Sequence, residues 1–173
     1  GYVGTPTVTR VLPLLKRFED RAMMLYFPFT GAEPQRREPY QSFVFNLRAS
    51  YLEETKALVF YFRSIGKSKI AVFYQSDAYG RNGWDGVRRA LASYGETLVA
   101  DASYARGSRF TDSYQSQLSV IQSAKPDVII VVGSYEASAG FIRELRASGD
   151  PTIVANISFV GAQKVMSLLS NQE

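Results

Sequence analysis

The chain has 173 residues, 46% of them hydrophobic and 21% charged, which fits a packed globular protein and excludes wholesale disorder. Lys and Arg number 20 against 16 Asp and Glu, a net charge of +4. These charges are scattered rather than gathered into the basic face that nucleic acid requires. With no cysteine and no histidine, disulfides, thiolate nucleophiles, Cys- or His-based metal sites and Ser-His-Asp triads are excluded. No apolar run approaches the ~20 residues that span a bilayer.

Residues 1–9, GYVGTPTVT, lack the basic start, apolar stretch and cleavage site of a secretory leader and read as a processed or truncated end. Their glycine- and threonine-rich turn leads into a helix expected over Val8–Phe18. A strand is expected over Ala22–Phe29, then the polar loop GAEPQRREPY, then a second strand, SFVFNLR at 42–48. Tyr51–Ile65 reads as a helix with Leu52, Leu58, Val59, Phe62 and Ile65 near one stripe. KIAVFYQ (69–75) and DVIIVVG (127–133) are short continuous apolar runs, the pattern of strands buried on both faces of a parallel sheet. Helical periods over Asn82–Tyr94, Thr111–Ala124 and Ala137–Ser148 lie between or after them, the second closed by Pro126 and the third by Gly149. Pro151–Gly161 is a further strand candidate.

Strands alternating with helices of this length predict an α/β protein with a doubly wound parallel sheet. A boundary is expected where the second strand passes into the long helix, dividing the chain into residues 1–47 and 48–173. Nucleotide-binding loops do not fit: the glycines of YGRNGWDG have the wrong spacing for a dinucleotide turn, and no P-loop pattern occurs. The pair Glu53–Glu54 sits on a solvated helix face, so a general-acid role is not expected there.

Six segments together resemble the type I periplasmic binding proteins, specifically the branched-chain amino-acid group of ABC-transporter substrate-binding proteins. They are GYVGTPT at 1–7, FPFTGAE at 27–33, FNLRASYLEET at 45–55, KIAVFYQSDAYGRNG at 69–83, KPDVIIVVGSYEASAGFIRELRASG at 125–149 and VANISFVG at 154–161. The resemblance implies two α/β lobes closing on a small ligand at the carboxyl ends of their strands. Residues 1–47 would belong to the first lobe and 48–173 to the second. Family members begin with further βα units before the first segment and run on beyond the last, so the chain resembles a piece of a longer protein.

The resemblance also implies site residues. Gly4-Thr5-Pro6-Thr7 matches the turn that holds the ligand carboxylate, with Thr5 at the hydroxyl position. A helix N-terminus suits an anion, and the alternative is that Thr5 or Thr7 only caps the helix. Phe29 and Thr30 match pocket-lining positions, Phe29 being equally readable as core. Tyr79 matches a ring that covers the ligand, and Ser134 or Tyr135 an aromatic pocket position. Asp77 is expected to cap the next helix rather than touch ligand, and Glu136 to be either a ligand contact or a first-turn acid, the favoured reading having both carboxylates point to solvent. Ser158 stands where amino-acid-binding members carry a carboxylate for the ligand ammonium, which favours a carboxylate with an apolar or aromatic body over a zwitterionic amino acid.

The implied function is a non-enzymatic, periplasmic or extracellular solute-binding component that delivers a small carboxylate to a membrane ABC permease, with no cofactor, metal or nucleic acid. The alternative on the same fold is the ligand-sensing ectodomain of a signalling receptor. An intracellular α/β enzyme or a repressor's effector domain is a third reading, the enzyme lacking an identifiable base and the repressor needing a DNA-binding segment upstream.

Overall fold

The computed structural model describes residues 4–170. The early part holds helix α1 (Thr5–Arg17), two short strands β1 (Leu25–Tyr26) and β2 (Val44–Phe45), and helix α2 (Tyr51–Ser64). Then follow β3 (Ile70–Gln75), α3 (Ala78–Ala92), β4 (Ala100–Tyr104), α4 (Gln115–Ser123), β5 (Val128–Val132), α5 (Tyr135–Ala147), β6 (Ile153–Asn156) and α6 (Ala162–Ser170). The last four strands form one sheet in the order β4-β3-β5-β6, with every neighbouring pair parallel. Ile70 faces Val128 and Tyr74 faces Val132 across the central pair. The expected doubly wound parallel sheet is therefore present.

The central strands are apolar over nearly their whole length, up to Gln75 at the end of β3, because helices cover both faces. Val72, Ile130 and Val132 point to the side packed by Val59 and Phe62 of α2, Val87 and Leu91 of α3, and Val165 of α6. Phe73, Ile129 and Val131 point to the other, against Leu118 and Ile121 of α4 and Phe141 and Leu145 of α5. Phe73 stacks on Phe141 at 4.2 Å and on Tyr104 at 4.8 Å. All five residues of β5 are fully buried, each side chain contributing about 1.5–3 kcal/mol.

Local chemistry moves several element bounds from their expected places. Helix α1 starts at Thr5 rather than Val8: Gly4 is extended at its N-cap, and Pro6 presets the first turn. Asp77 and Ser134 cap α3 and α5 through the Gly80 and Ala137 amides, so both helices begin ahead of their apolar periods. Helix α4 starts only at Gln115, because the Tyr114 amide donates to the Glu144 carboxylate (2.9 Å) and Arg143 holds the preceding loop through Phe110 O (2.6 Å). The expected strand over 151–161 ends at Asn156, where a single helical turn (Ser158–Val160) and a left-handed Gly161 (φ 83°) lead into α6. The two early strands shrink to two residues each, paired in parallel beside a small core of Val8, Leu12, Leu15 and Val44.

Candidate functional site

A cleft of about 430 Å³ opens where the N-terminus of α1 faces the carboxyl ends of the four-stranded sheet. Each wall has a local cause. Gly4, Thr5 and Pro6 form the first turn of α1. Gln75 and Asp77 end β3, and Arg106 to Arg109 form the loop after β4. Gly133 to Glu136 join β5 to α5, and Phe159 lies in the turn after β6. Ligands of open α/β sheets bind at this carboxyl end.

The strand ends are pinned to one another. Asp77 Oδ1 accepts the Gly80 amide (3.1 Å) and Oδ2 accepts from Gln75 Nε2 (2.6 Å). Only glycine fits at 80, since a Cβ there would lie 1.8 Å from Gln75 O. Tyr79 Oη donates to Gly133 O (3.1 Å), while Tyr104 Oη accepts the Ser134 amide (2.7 Å). Burial pushes the Tyr79 phenol well above its usual range, reinforced by its neighbours Tyr51, Tyr104, Glu54 and Asp77. Burial also raises Tyr104 and Tyr51, the latter against the pull of the Thr30 hydroxyl, the Gly31 backbone, the Thr5 hydroxyl and the Arg48 charge. All three phenols are neutral at physiological pH.

Of the residues singled out from sequence, Thr5, Tyr79, Ser134 and Tyr135 line the cleft. Tyr79 is only 5% exposed, its ring 5.1 Å from Tyr51 and 4.7 Å from Phe159, so it meets the cleft as part of the floor. Ser134 also caps α5, and the Lys164 ammonium lies 4.8 Å over the Tyr135 ring. Thr5 is not a side-chain cap: Gly4 holds the cap position, and the Thr5 hydroxyl instead meets the Thr30 hydroxyl at 2.7 Å.

The remaining three sit outside the cleft lining. Thr30 is fully buried behind Thr5. Phe29 packs on Phe159 at 5.1 Å, with the Arg48 guanidinium 4.6 Å over its ring. Ser158 donates from its amide and hydroxyl to the Glu54 carboxylate (2.7 and 2.8 Å) and accepts from Arg48. One expectation is corrected. Asp77 and Glu136 do not face bulk solvent but line the cleft, because both follow strands whose carboxyl ends form its wall. The Glu136 carboxylate makes no hydrogen bond or ion pair among the described residues. A carboxylate for an ammonium is thus at hand without one at 158.

Arg106, Arg109 and Phe159 were missed. The strand β4 that places the two arginines alternates buried Ala102 and Tyr104 with exposed Asp101 and Ser103, a period-two signal that marks an edge strand. Among the described residues no cluster of acidic side chains could hold a metal ion.

The model of a family described as periplasmic binding protein matches residues 1–171. The chain belongs to that family. Within it, the type I fold recurs in solved structures. One is a possible leucine/isoleucine/valine-binding protein from Rhodopirellula baltica, 30% identical with a TM-score of 0.83, where the match covers 98% of this chain and 45% of that one. A second is a substrate-binding periplasmic protein from Ralstonia solanacearum, 28% identical with a TM-score of 0.83, covering 96% and 45%. A branched-chain amino acid ABC transporter protein from Thermus thermophilus, solved with bound valine, shares the fold at 18% identity and a TM-score of 0.83, covering 96% and 42%. This periplasmic-binding-protein chain therefore spans under half the length of these relatives. Comparison with curated proteins gives no match.

Proposed function

We propose that this chain is part of an extracytoplasmic solute-binding component of an ABC importer, which holds a small carboxylate-bearing ligand between two lobes and catalyses no reaction. Residues 1–47 are assigned to one lobe and 48–173 to the other. The ligand class is amino acids and aromatic or aliphatic acids. The observation that carries this reading is the cleft itself: the α1 N-terminus and Thr5 face the carboxyl ends of a parallel sheet across about 430 Å³. The Thr5 amide opens a helix whose aligned peptide dipoles favour negative charge.

The other walls complement the rest of such a ligand. Tyr79, Tyr135 and Phe159 supply flat apolar surface, and the Glu136 carboxylate suits a cationic substituent such as an α-ammonium. The relative from Rhodopirellula baltica, described as a possible leucine/isoleucine/valine-binding protein, supports the amino-acid branch of the class. Family membership supports a periplasmic location and a membrane permease as partner.

The test is calorimetry on the full-length natural protein that carries this sequence, titrated with L-leucine, L-phenylalanine, 4-methylpentanoate and benzoate. Binding of at least one with a Kd below about 1 mM is expected. Loss of that binding in Thr5→Val is expected too. Failure of all four to bind would contradict the reading.

A further inference from the structure

Arg106 and Arg109 line the cleft from the loop that follows β4. Neither guanidinium makes a hydrogen bond, ion pair or ring contact among the described residues. Arg143, packed beside the same loop, behaves differently: it donates to Phe110 O (2.6 Å) and Asp112 O (3.2 Å) and pairs with Glu144. The Asp77 carboxylate, at the end of the neighbouring strand, is held by the Gly80 amide and by Gln75. Two cations thus stand in the cleft wall without an anion.

The backbone that carries them is anchored. The Ser108 amide closes a tight turn on Ala105 O (3.2 Å), with Arg106 second and Gly107 third, the glycine at φ 92°. The Arg109 amide donates to Asp112 Oδ2 (2.8 Å), and its carbonyl accepts from Tyr114 Oη (2.7 Å). Tyr114 is buried, with its ring 5.8 Å from Phe73, so this anchor reaches the core. The main chain is fixed and the charged heads are free.

Strand order places this cationic end relative to Thr5. Strands β4 and β6 are the outer strands of the sheet, three spacings or about 14 Å apart. Thr5 stands toward the β6 side, because its hydroxyl partner Thr30 follows Phe29, whose ring packs on Phe159 in the turn after β6. Glu136 follows β5, which lies between β3 and β6. A ligand anchored at Thr5 and laid along the strand ends therefore runs past Glu136 toward Arg106 and Arg109.

We propose that Arg106 and Arg109 form a subsite for a second anionic group, so that the preferred ligand is a dicarboxylate rather than a monoacid. This inference rests on the carboxylate reading above and names the charge at the ligand's other end. A guanidinium presents paired N–H donors that match a carboxylate. An apolar end placed there would strip water from both heads and return no partner. Glu136 accommodates an α-ammonium between the two ends, so acidic amino acids fall within the class.

The test is calorimetry on the full-length natural protein with matched pairs: adipate with hexanoate, terephthalate with benzoate, and L-glutamate with L-glutamine. The diacid is expected to bind at least about tenfold tighter than its partner in one pair or more. The double variant Arg106→Gln/Arg109→Gln is expected to bring that ratio to within about twofold of unity while sparing the monoacid. Lys69→Gln/Lys125→Gln removes the same charge at the amino ends of β3 and β5 and is expected to keep the ratio. Thermal unfolding of the ligand-free variants separates misfolding from altered recognition.

Monoacids that bind as tightly as their diacids would overturn the second subsite and leave the carboxylate reading in place. So would a diacid preference that survives in the folded arginine variant, or one that falls equally in the lysine variant. Failure of every acid to bind would overturn both.

Discussion

Replacing Gly133 with Ala places a Cβ 2.2 Å from Tyr104 Oη, with the next nearest ring atom at 3.1 Å. The hydroxyl must then move by more than 1 Å to regain ordinary contact at about 3.4 Å. That movement breaks its 2.7 Å bond from the Ser134 amide, at the start of α5. Overpacking of this kind costs about 1–3 kcal/mol. Leaving the amide unpaired adds about 1–3 kcal/mol. A loss near 4 kcal/mol is expected for Gly133→Ala and about 1–2 kcal/mol for Tyr104→Phe. In the double variant the offending oxygen is gone and the Cβ meets only the 3.1 Å ring contact. The double variant should therefore be more stable than the summed losses imply, by about 2 kcal/mol. Urea unfolding followed by far-UV circular dichroism of all four proteins gives this coupling. Losses that add within about 0.5 kcal/mol would refute the claim that the two sites collide and share one hydrogen bond.

Burial raises the phenols of Tyr51, Tyr79, Tyr104 and Tyr114 above their unfolded value of 10.0. Their contribution to stability is complete below pH 10 and is lost as the pH climbs through their folded values. Absorbance at 295 nm should show these four titrating only as the fold is lost, and reversible ionisation of all 11 tyrosines in the folded protein would contradict that. Glu53 moves the other way, lowered chiefly by the bond from the Ser50 amide (2.7 Å), so its contribution is present above pH 4.5 and fades in acid. Because Glu53 is exposed, Glu53→Gln should remove less than about 1 kcal/mol of acid sensitivity, measured by thermal unfolding between pH 3 and 7. Glu136→Gln should weaken L-leucine about tenfold or more while sparing 4-methylpentanoate, and equal effects on the two ligands would exclude Glu136 as the ammonium partner.

What could be read from the sequence follows burial geometry. Strands β3 and β5 stood out because helices cover both of their faces, which makes nearly every position apolar, Gln75 at the cleft end of β3 excepted. Strand β4 did not, since only Ala102 and Tyr104 face the core at the sheet edge. With it went the loop carrying Arg106 and Arg109. Phe159 was hidden in a segment that reads as strand but turns after Asn156. Thr5, Tyr79 and Ser134–Tyr135 were reached through the family resemblance of their segments, and the structure places all four on the cleft. The Thr30–Tyr51 contact was not legible: it joins residues 21 apart through a fold that no local pattern encodes. The Arg48–Ser158 bond spans 110 residues and was equally silent.

The most direct test of the carboxylate site is a crystal structure of the full-length protein with the tightest-binding acid of the panel. The account predicts a carboxylate oxygen within about 3.2 Å of Thr5 Oγ1 or the Thr5 amide, with the apolar body against Tyr79, Tyr135 and Phe159. A carboxylate held by Arg106 and Arg109, with Thr5 beyond hydrogen-bond reach, would contradict it.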